Sequence, residues 1–159
     1  MLKNILFFGV LIISFFFFQA CDNKTVYKDY KKIPDKIWDR NFQPEFNVDI
    51  EDAETNYDIY IHIRNASMYP YSNIWVFMHS NTPTGETAID TVECTLADET
   101  GNWLGDGMGD IWDREILWKQ NHHFPQKGEY TYRMEHAMRV KMLPGIMDVG
   151  ISVERVEQE

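Results

Sequence analysis

An all-β fold, an antiparallel β-sandwich with a jelly-roll-like or Greek-key path, is the architecture this 159-residue sequence predicts. Three observations predict it. Short runs alternate apolar and polar residues with a period of two, turn residues interrupt them at close intervals, and no long amphipathic helix competes. Parallel βαβ units lack the crossover helices they require.

The elements follow in chain order. Lys3 precedes an apolar run from Ile5 to Phe18, broken only by Gly9 and Ser14, which has the form of the n-region and h-region of a secretory signal. As a helix the run would be roughly 21 Å long, short of the about 30 Å of a hydrocarbon core. It ends in Phe18-Gln19-Ala20-Cys21, a small residue followed by cysteine. That site resembles a lipobox, in which the cysteine thiol takes a diacylglyceryl group, the preceding peptide is removed and the new amino terminus is acylated, with palmitate the expected chain. Residues 1–20 are read as a lipoprotein signal peptide, and Cys21 as the lipidated residue. Two or more acyl chains make such attachment stable where one is marginal.

Residues 21–44 read as a lipidated tether, with Lys28, Lys31 and Lys32 clustered and prolines at 34 and 44. Aromatics are scarce in disordered linkers, so Tyr27, Tyr30 and Trp38, with Ile33 and Ile37, predict that its distal part packs on the domain. The β-sandwich domain is expected over residues 45–159.

Within it, Phe46, Val48 and Ile50 alternate with polar residues, as do Tyr57, Ile59, Ile61 and Ile63. Asn73 to Ser80 is apolar on both sides, which predicts a central strand covered on both faces or nearly so. Thr91 to Leu96 alternates again. Ile111 to Lys119 fits either period, with a strand favoured from Glu115 to Trp118. Glu129 to Glu135 and Met147 to Glu154 alternate, and Met138 to Met142 fits a helix or an extended segment. Turn signals at Asn65 to Pro70, Asn81 to Gly85, Gly101 to Gly109, Pro125 to Gly128 and Pro144-Gly145 separate the runs.

Composition narrows function. The formal charge is -10, and no basic patch of the kind that neutralises phosphates is present, so nucleic-acid binding is not expected. Beyond Cys21 the single cysteine is Cys94, whose place in the alternation of Val92, Cys94 and Leu96 predicts a buried small hydrophobe. The fold must then rest on packing rather than on an intramolecular disulfide.

Residues 98–113 combine glycines at 101, 105, 107 and 109 with Asp98, Asp106, Asp110 and Asp113. Oxygen-rich loops can hold calcium, but this spacing does not match the helix-loop-helix calcium motif, and aspartates closing their own turns account for the pattern. His122 and His123 are neighbours that point to opposite faces of an extended chain, with no third ligand at a recognisable spacing, which disfavours a metal. His62, His79 and His136 fit surface or partly buried structural positions. Neither G-x-S-x-G nor H-E-x-x-H is present, and no paired carboxylates stand out, so neither enzymatic activity nor a cofactor is expected. Trp75, Trp103, Trp112 and Trp118, with Tyr69 and Tyr71, exceed what a core of this size readily absorbs. They are the candidate interaction surface, because tryptophan and tyrosine bring large area with a polar handle.

Several fragments carry a resemblance. After the lipobox-like cysteine and the tether reaching Trp38 come Arg64-Asn65, Tyr69-Pro70-Tyr71-Ser72-Asn73-Ile74-Trp75, Asp90-Thr91-Val92-Glu93, Leu96-Ala97-Asp98 and Gly101-Asn102-Trp103-Leu104-Gly105. Gly128-Glu129-Tyr130, Met138-Arg139 and Gly145-Ile146-Met147-Asp148-Val149-Gly150 follow. In this order and spacing they resemble the gliding-motility lipoprotein GldH family. The resemblance implies a lipid-anchored protein of the Gram-negative cell envelope, in the outer membrane, that serves movement over surfaces and the machinery working alongside type IX secretion. It implies membrane lipid through Cys21 and protein partners, no known enzymatic activity, and no catalytic residue to carry over. Gln19 and Phe18 depart from the commonest lipobox pattern, which bears on processing alone. A carbohydrate- or ligand-binding lipoprotein with a jelly-roll-like domain, using tryptophans as stacking platforms, is the alternative reading.

Overall fold

A computed structural model describes residues 24–157; the segment read as a signal peptide and Cys21 lie outside the described residues. The strands are β1 (Thr25–Lys32), β2 (Ile37–Asp39), β3 (Glu45–Ile50), β4 (Asn56–Ala66), β5 (Asn73–Asn81), β6 (Thr87–Thr95), β7 (Asp106–Met108), β8 (Ile111–His123), β9 (Gly128–His136), β10 (Met142–Pro144) and β11 (Ile146–Arg155). One sheet runs β1-β11-β4-β8-β7, a second β3-β9-β5-β6, and β10 pairs with β2. All ladders are antiparallel. Taken in chain order, the eight long strands are arranged first-eighth-third-sixth in one sheet and second-seventh-fourth-fifth in the other, the order of a jelly roll.

The alternation seen in the sequence becomes the core. Tyr57, Ile59, Ile61 and Ile63 of β4 and Val149, Ile151 and Val153 of β11 face Phe46, Val48 and Ile50 of β3, Ile74, Val76 and Met78 of β5, and Tyr130, Tyr132 and Met134 of β9. Each fully buried Ile or Val contributes about 1.5–3 kcal/mol relative to exposure. Cys94 is buried among them, as its place in the alternation requires.

Four segments differ from the sequence expectation. The stretch read as tether is part of the sandwich from Thr25 onward: β1 pairs with β11 from Thr25↔Glu154 to Lys32↔Asp148, and Ile33 and Trp38 have no exposed surface. The lysines that suggested a solvated linker sit on a sheet edge, where lysine is equally at home. The ambiguous run after residue 110 is one long strand, Ile111–His123, rather than Glu115 to Trp118 alone. It is only partly covered on either face, and that blurs the period of two. Met138 to Lys141 is neither helix nor strand, and the extended part is β10, which pairs with β2. Finally, β5 has a neighbour on each side, but its outer face lies bare, with Trp75 39% exposed.

The topology gives the sandwich two unlike ends. At one end lie Lys24, where the described chain begins, the last residues of β11, and the short connections 51–55, 82–86 and 124–127. At the other lie the longer connections 33–44, 67–72, 96–110 and 137–145. This second end is tightly built. Gly145, at φ +88, places the point where a Cβ would stand 2.9 Å from Tyr69 Cα, so only glycine admits the approach. Its N–H donates to Lys36 O, its carbonyl accepts from Ala66 N–H, and the Tyr69 hydroxyl donates to Asn73 O.

Candidate interaction surface

The outer face of the four-stranded sheet is built by residues of odd number on β5, β6 and β9. Trp75 pairs across with Glu93, Phe77 with Thr91 and Glu135, and His79 with Ile89 and Arg133. Alternation that sends Ile74, Val76 and Met78 inward therefore sends Trp75 and Phe77 outward. Trp75 is exposed, Phe77 half-buried, and Ile89 63% exposed. Tyr71, 38% exposed, shares a shallow hollow with Trp75, Ala137, Met138 and Arg139. The loop beside Trp75 is held from the backbone: Ala137 N–H donates 2.7 Å to Trp75 O, and Trp75 N–H meets Met138 Sδ at 3.4 Å. Beyond Phe77, His79 Nε2 lies 3.3 Å from Glu135 Oε2, which also accepts from Gln43 Nε2. The face is thus an apolar strip flanked by polar pairs, with rigid backbone behind it.

The four tryptophans are not gathered into one patch. Trp103 is half-buried near Tyr69, which in turn meets Tyr71 edge-on. Trp112 lies against Gly107 and donates from Nε1 to Ser67 Oγ at 3.1 Å. Trp118 packs edge-on against Tyr132 beneath the Lys119 ammonium. Trp75 alone of the four is exposed. Beside it Ile89 is exposed, and Phe77 and Met138 are half-buried. The outward phase of Phe77 on β5 and Ile89 on β6 was available in the alternation, but the apolar run hid which face would be covered.

A polar cluster on the outer face of the other sheet escaped the sequence reading, because it assembles from four strands. Tyr30 of β1, Gly150 of β11, His62 of β4 and Glu115 of β8 share one row. Gly150 lets the Tyr30 ring lie flat: a Cβ there would fall 2.7 Å from Asp29 O and 2.9 Å from Tyr30 Cδ1. The Tyr30 hydroxyl reaches His62 Nδ1 at 3.2 Å, and His62 Nε2 meets Ser152 Oγ at 2.7 Å. Arg64 lies over the Tyr30 ring and binds Asp113 at 3.0 Å and Asp148 at 3.4 Å. Burial, reinforced by the Lys28 charge, holds the His62 imidazole down at about 4, so it is neutral at pH 7. Burial and the Asp113 charge push the Tyr30 phenol up to about 12. Ser152 and His62 have the atoms of a nucleophile and its base, but they are 0% and 1% exposed, so this hydroxyl meets no substrate in this conformation. The cluster pins the edge strand to the sheet.

The remaining candidates have local explanations. Asp98 accepts from the backbone N–H groups of Thr100 and Asn102 and from both their side chains, which lowers its carboxyl to about 2. It closes its own turn, as the glycine-aspartate pattern suggested. Burial pushes the Cys94 thiol up to about 12, far from thiolate reactivity. His136 is buried, with Nε2 at 3.1 Å from Lys141 O, and the His122 ring meets Phe124 edge-on.

Comparison with known proteins places this arrangement. Residues 25–153 match the family model described as GldH lipoprotein. The chain is 33% identical over 153 residues to the gliding motility lipoprotein GldH homolog of Christiangramia forsetii, covering 92% of this chain and 93% of that protein. It is 29% identical over 154 residues to the gliding motility lipoprotein GldH of Flavobacterium johnsoniae, covering 92% and 95%. Among solved structures it aligns with that of the infectious bursal disease virus Gx strain at a TM-score of 0.33 and 11% identity, over 81% of this chain and 30% of the viral one, a likeness too low to bear on fold or function. The match begins at the first residue of β1 and ends in β11, so it spans the whole jelly roll, and the chain belongs to the GldH lipoprotein family.

Proposed function

We propose that this protein is a lipid-anchored component of the cell envelope that serves gliding motility by holding other proteins, without catalysing a reaction. Cys21 carries the lipid, the outer membrane is the site, and the partners belong to the gliding machinery and the associated type IX secretion apparatus. The observation that supports this most is the bare outer face of the four-stranded sheet, where Trp75, Phe77 and Ile89 form an apolar strip on a rigid ladder. Solvent-exposed aromatics on fixed backbone are what protein interfaces use as anchors. The names of the two relatives support the cellular role.

Crosslinking in the intact envelope, read by mass spectrometry, tests it. Crosslinks from this face to other envelope proteins are expected, together with loss of surface movement on deletion. No crosslinked protein and unimpaired movement would defeat the proposal. The hollow between Tyr71, Trp75 and Arg139 favours a second reading, a stacking platform for a carbohydrate. A glycan array bound by the wild type and silent with Trp75→Ala would establish that reading instead.

A further inference from the structure

We infer that the free edge of β6 is a docking strand, which takes an extended, cation-bearing segment of another protein as an added strand of the four-stranded sheet. The inference deepens the protein-docking reading above and rests on it. It comes from comparing the sheet edges.

An open edge presents unpaired N–H and C=O groups, so natural sheets blunt their edges with lysines, prolines, bulges, shortness or cover. The other long edges here do so. β1 carries Lys28, Lys31 and Lys32 and a register shift between Thr25 and Tyr27. β3 is short, at six residues, and follows Pro44 directly. β8 carries Arg114 and Lys119, is irregular against β4, and is covered by β7 over Ile111 to Asp113. Among the described residues, β6 is the long edge that relies least on such devices: its one inward-phase charge, Asp90, is met by Lys119 of β8 at 3.0 Å. Its pairing with β5 runs unbroken from Thr87↔Asn81 to Thr95↔Asn73, with no lysine, arginine, proline or bulge. Thr87, Ile89, Thr91, Val92 and Thr95 are β-branched, the composition that suits a paired strand.

The ladder's phase identifies the vacant groups. Leu96 N–H donates to Ser72 O beyond one end of β6, and Thr82 N–H donates to Glu86 O beyond the other. In this register the even-numbered residues of β6 exchange hydrogen bonds with β5. The odd-numbered residues Ile89, Thr91 and Glu93 turn their backbone groups to the open side. Strand addition at such an edge draws affinity from the main chain and selectivity from alternate side chains.

Charge selects the occupant. The strand's ionised groups are Asp90, which holds Lys119 of β8 on the inner side, and Glu93, which accepts from Asn73 Nδ2 on the outer side, with Glu86 just before the strand, in a chain of net charge -10. A second copy would add its own Glu86 and Glu93 to an edge that already carries them, with no lysine or arginine on either strand, and like charges across strands are unfavourable. A segment bearing lysine or arginine meets the same groups favourably.

The test places a photo-crosslinking residue at position 89 or 93 of the full-length lipoprotein in its own envelope, with positions 28 of β1 and 117 of β8 as edge controls. The crosslinked peptide is then identified. A basic, extended segment of another protein is expected at 89 and 93 and absent at 28 and 117. Thr91→Pro should abolish the crosslink, because it removes an outward N–H and leaves the β5 ladder whole. Thr91→Lys keeps that N–H, adds charge and should also abolish it; unchanged thermal melting shows that either variant is folded. Crosslinks to a second copy, equal yields at the control positions, or yields untouched by both folded variants would overturn the inference. Crosslinks confined to the Trp75 face would do the same while leaving the docking function standing, and no crosslink anywhere with movement intact would remove both.

Discussion

Trp38 has no exposed surface although it sits on a three-residue strand at the rim of the sandwich. Its Nε1 donates 2.8 Å to Phe42 O, and its ring meets His136 edge-on at 5.4 Å. Trp38→Ala should therefore cost about 3–5 kcal/mol in urea denaturation, the range for emptying a large aromatic site. A loss below about 1 kcal/mol would show the rim to be independent of the core. His62 makes a prediction about pH. Its folded pKa of about 4 lies below the ordinary 6.5, so between those values the unfolded chain binds the proton that the native chain refuses. Stability should be fully present above about pH 6.5 and fall as the pH drops towards 4, with half-buried His122 and buried His136, also lowered, adding in the same direction. Thermal melting across this range checks it, and His62→Gln should flatten the slope; an identical slope would place the acid sensitivity elsewhere. The sequence marked His62 as standing opposite the apolar set of its strand. It could not show that Tyr30, far away in sequence, would cover it.

At the scale of elements, β1 is the instructive case. Deleting residues 24–32 would strip β11 of one of its two partners and uncover the part of the core that Val26 and Tyr27 pack against. Such a chain should aggregate or show weakened near-ultraviolet circular dichroism, whereas removal of a mere linker would leave a soluble domain with unchanged melting. Strands with one covered face were legible as a period of two: β3, β4, β9 and β11 each show it. Those with a different environment were not. β8 is half-covered on both faces, β5 is apolar on both but covered on one, and β1 carries the lysines of an edge. Alternation reports contrast between faces, and these three strands have little. The loop following β6 was legible for another reason: Asp98 finds its partners within four residues. Asp98 already accepts four hydrogen bonds there, so millimolar calcium should leave the melting temperature unchanged.

For the molecule as a whole, the jelly-roll path decides which end faces the membrane. Cys21 precedes Thr25 by four residues, a span of at most about 14 Å. With lipid on Cys21, the end bearing the short connections lies near the bilayer, and Tyr71, Trp75 and Met138 stand at the far end. A nitroxide at position 54 should then show lipid proximity in reconstituted vesicles, and one at position 139 should not. Equal proximity would mean that the domain lies on its side. The antiparallel seam between β1 and β11 acquires a mechanical meaning from the same geometry. A pull from the bilayer runs along the axis of β1, against a sandwich gripped elsewhere, so the seam is loaded in shear. All its hydrogen bonds share the force at once, where a perpendicular pull would unzip them singly. The strand that enters the fold first is placed to be the last to yield under traction.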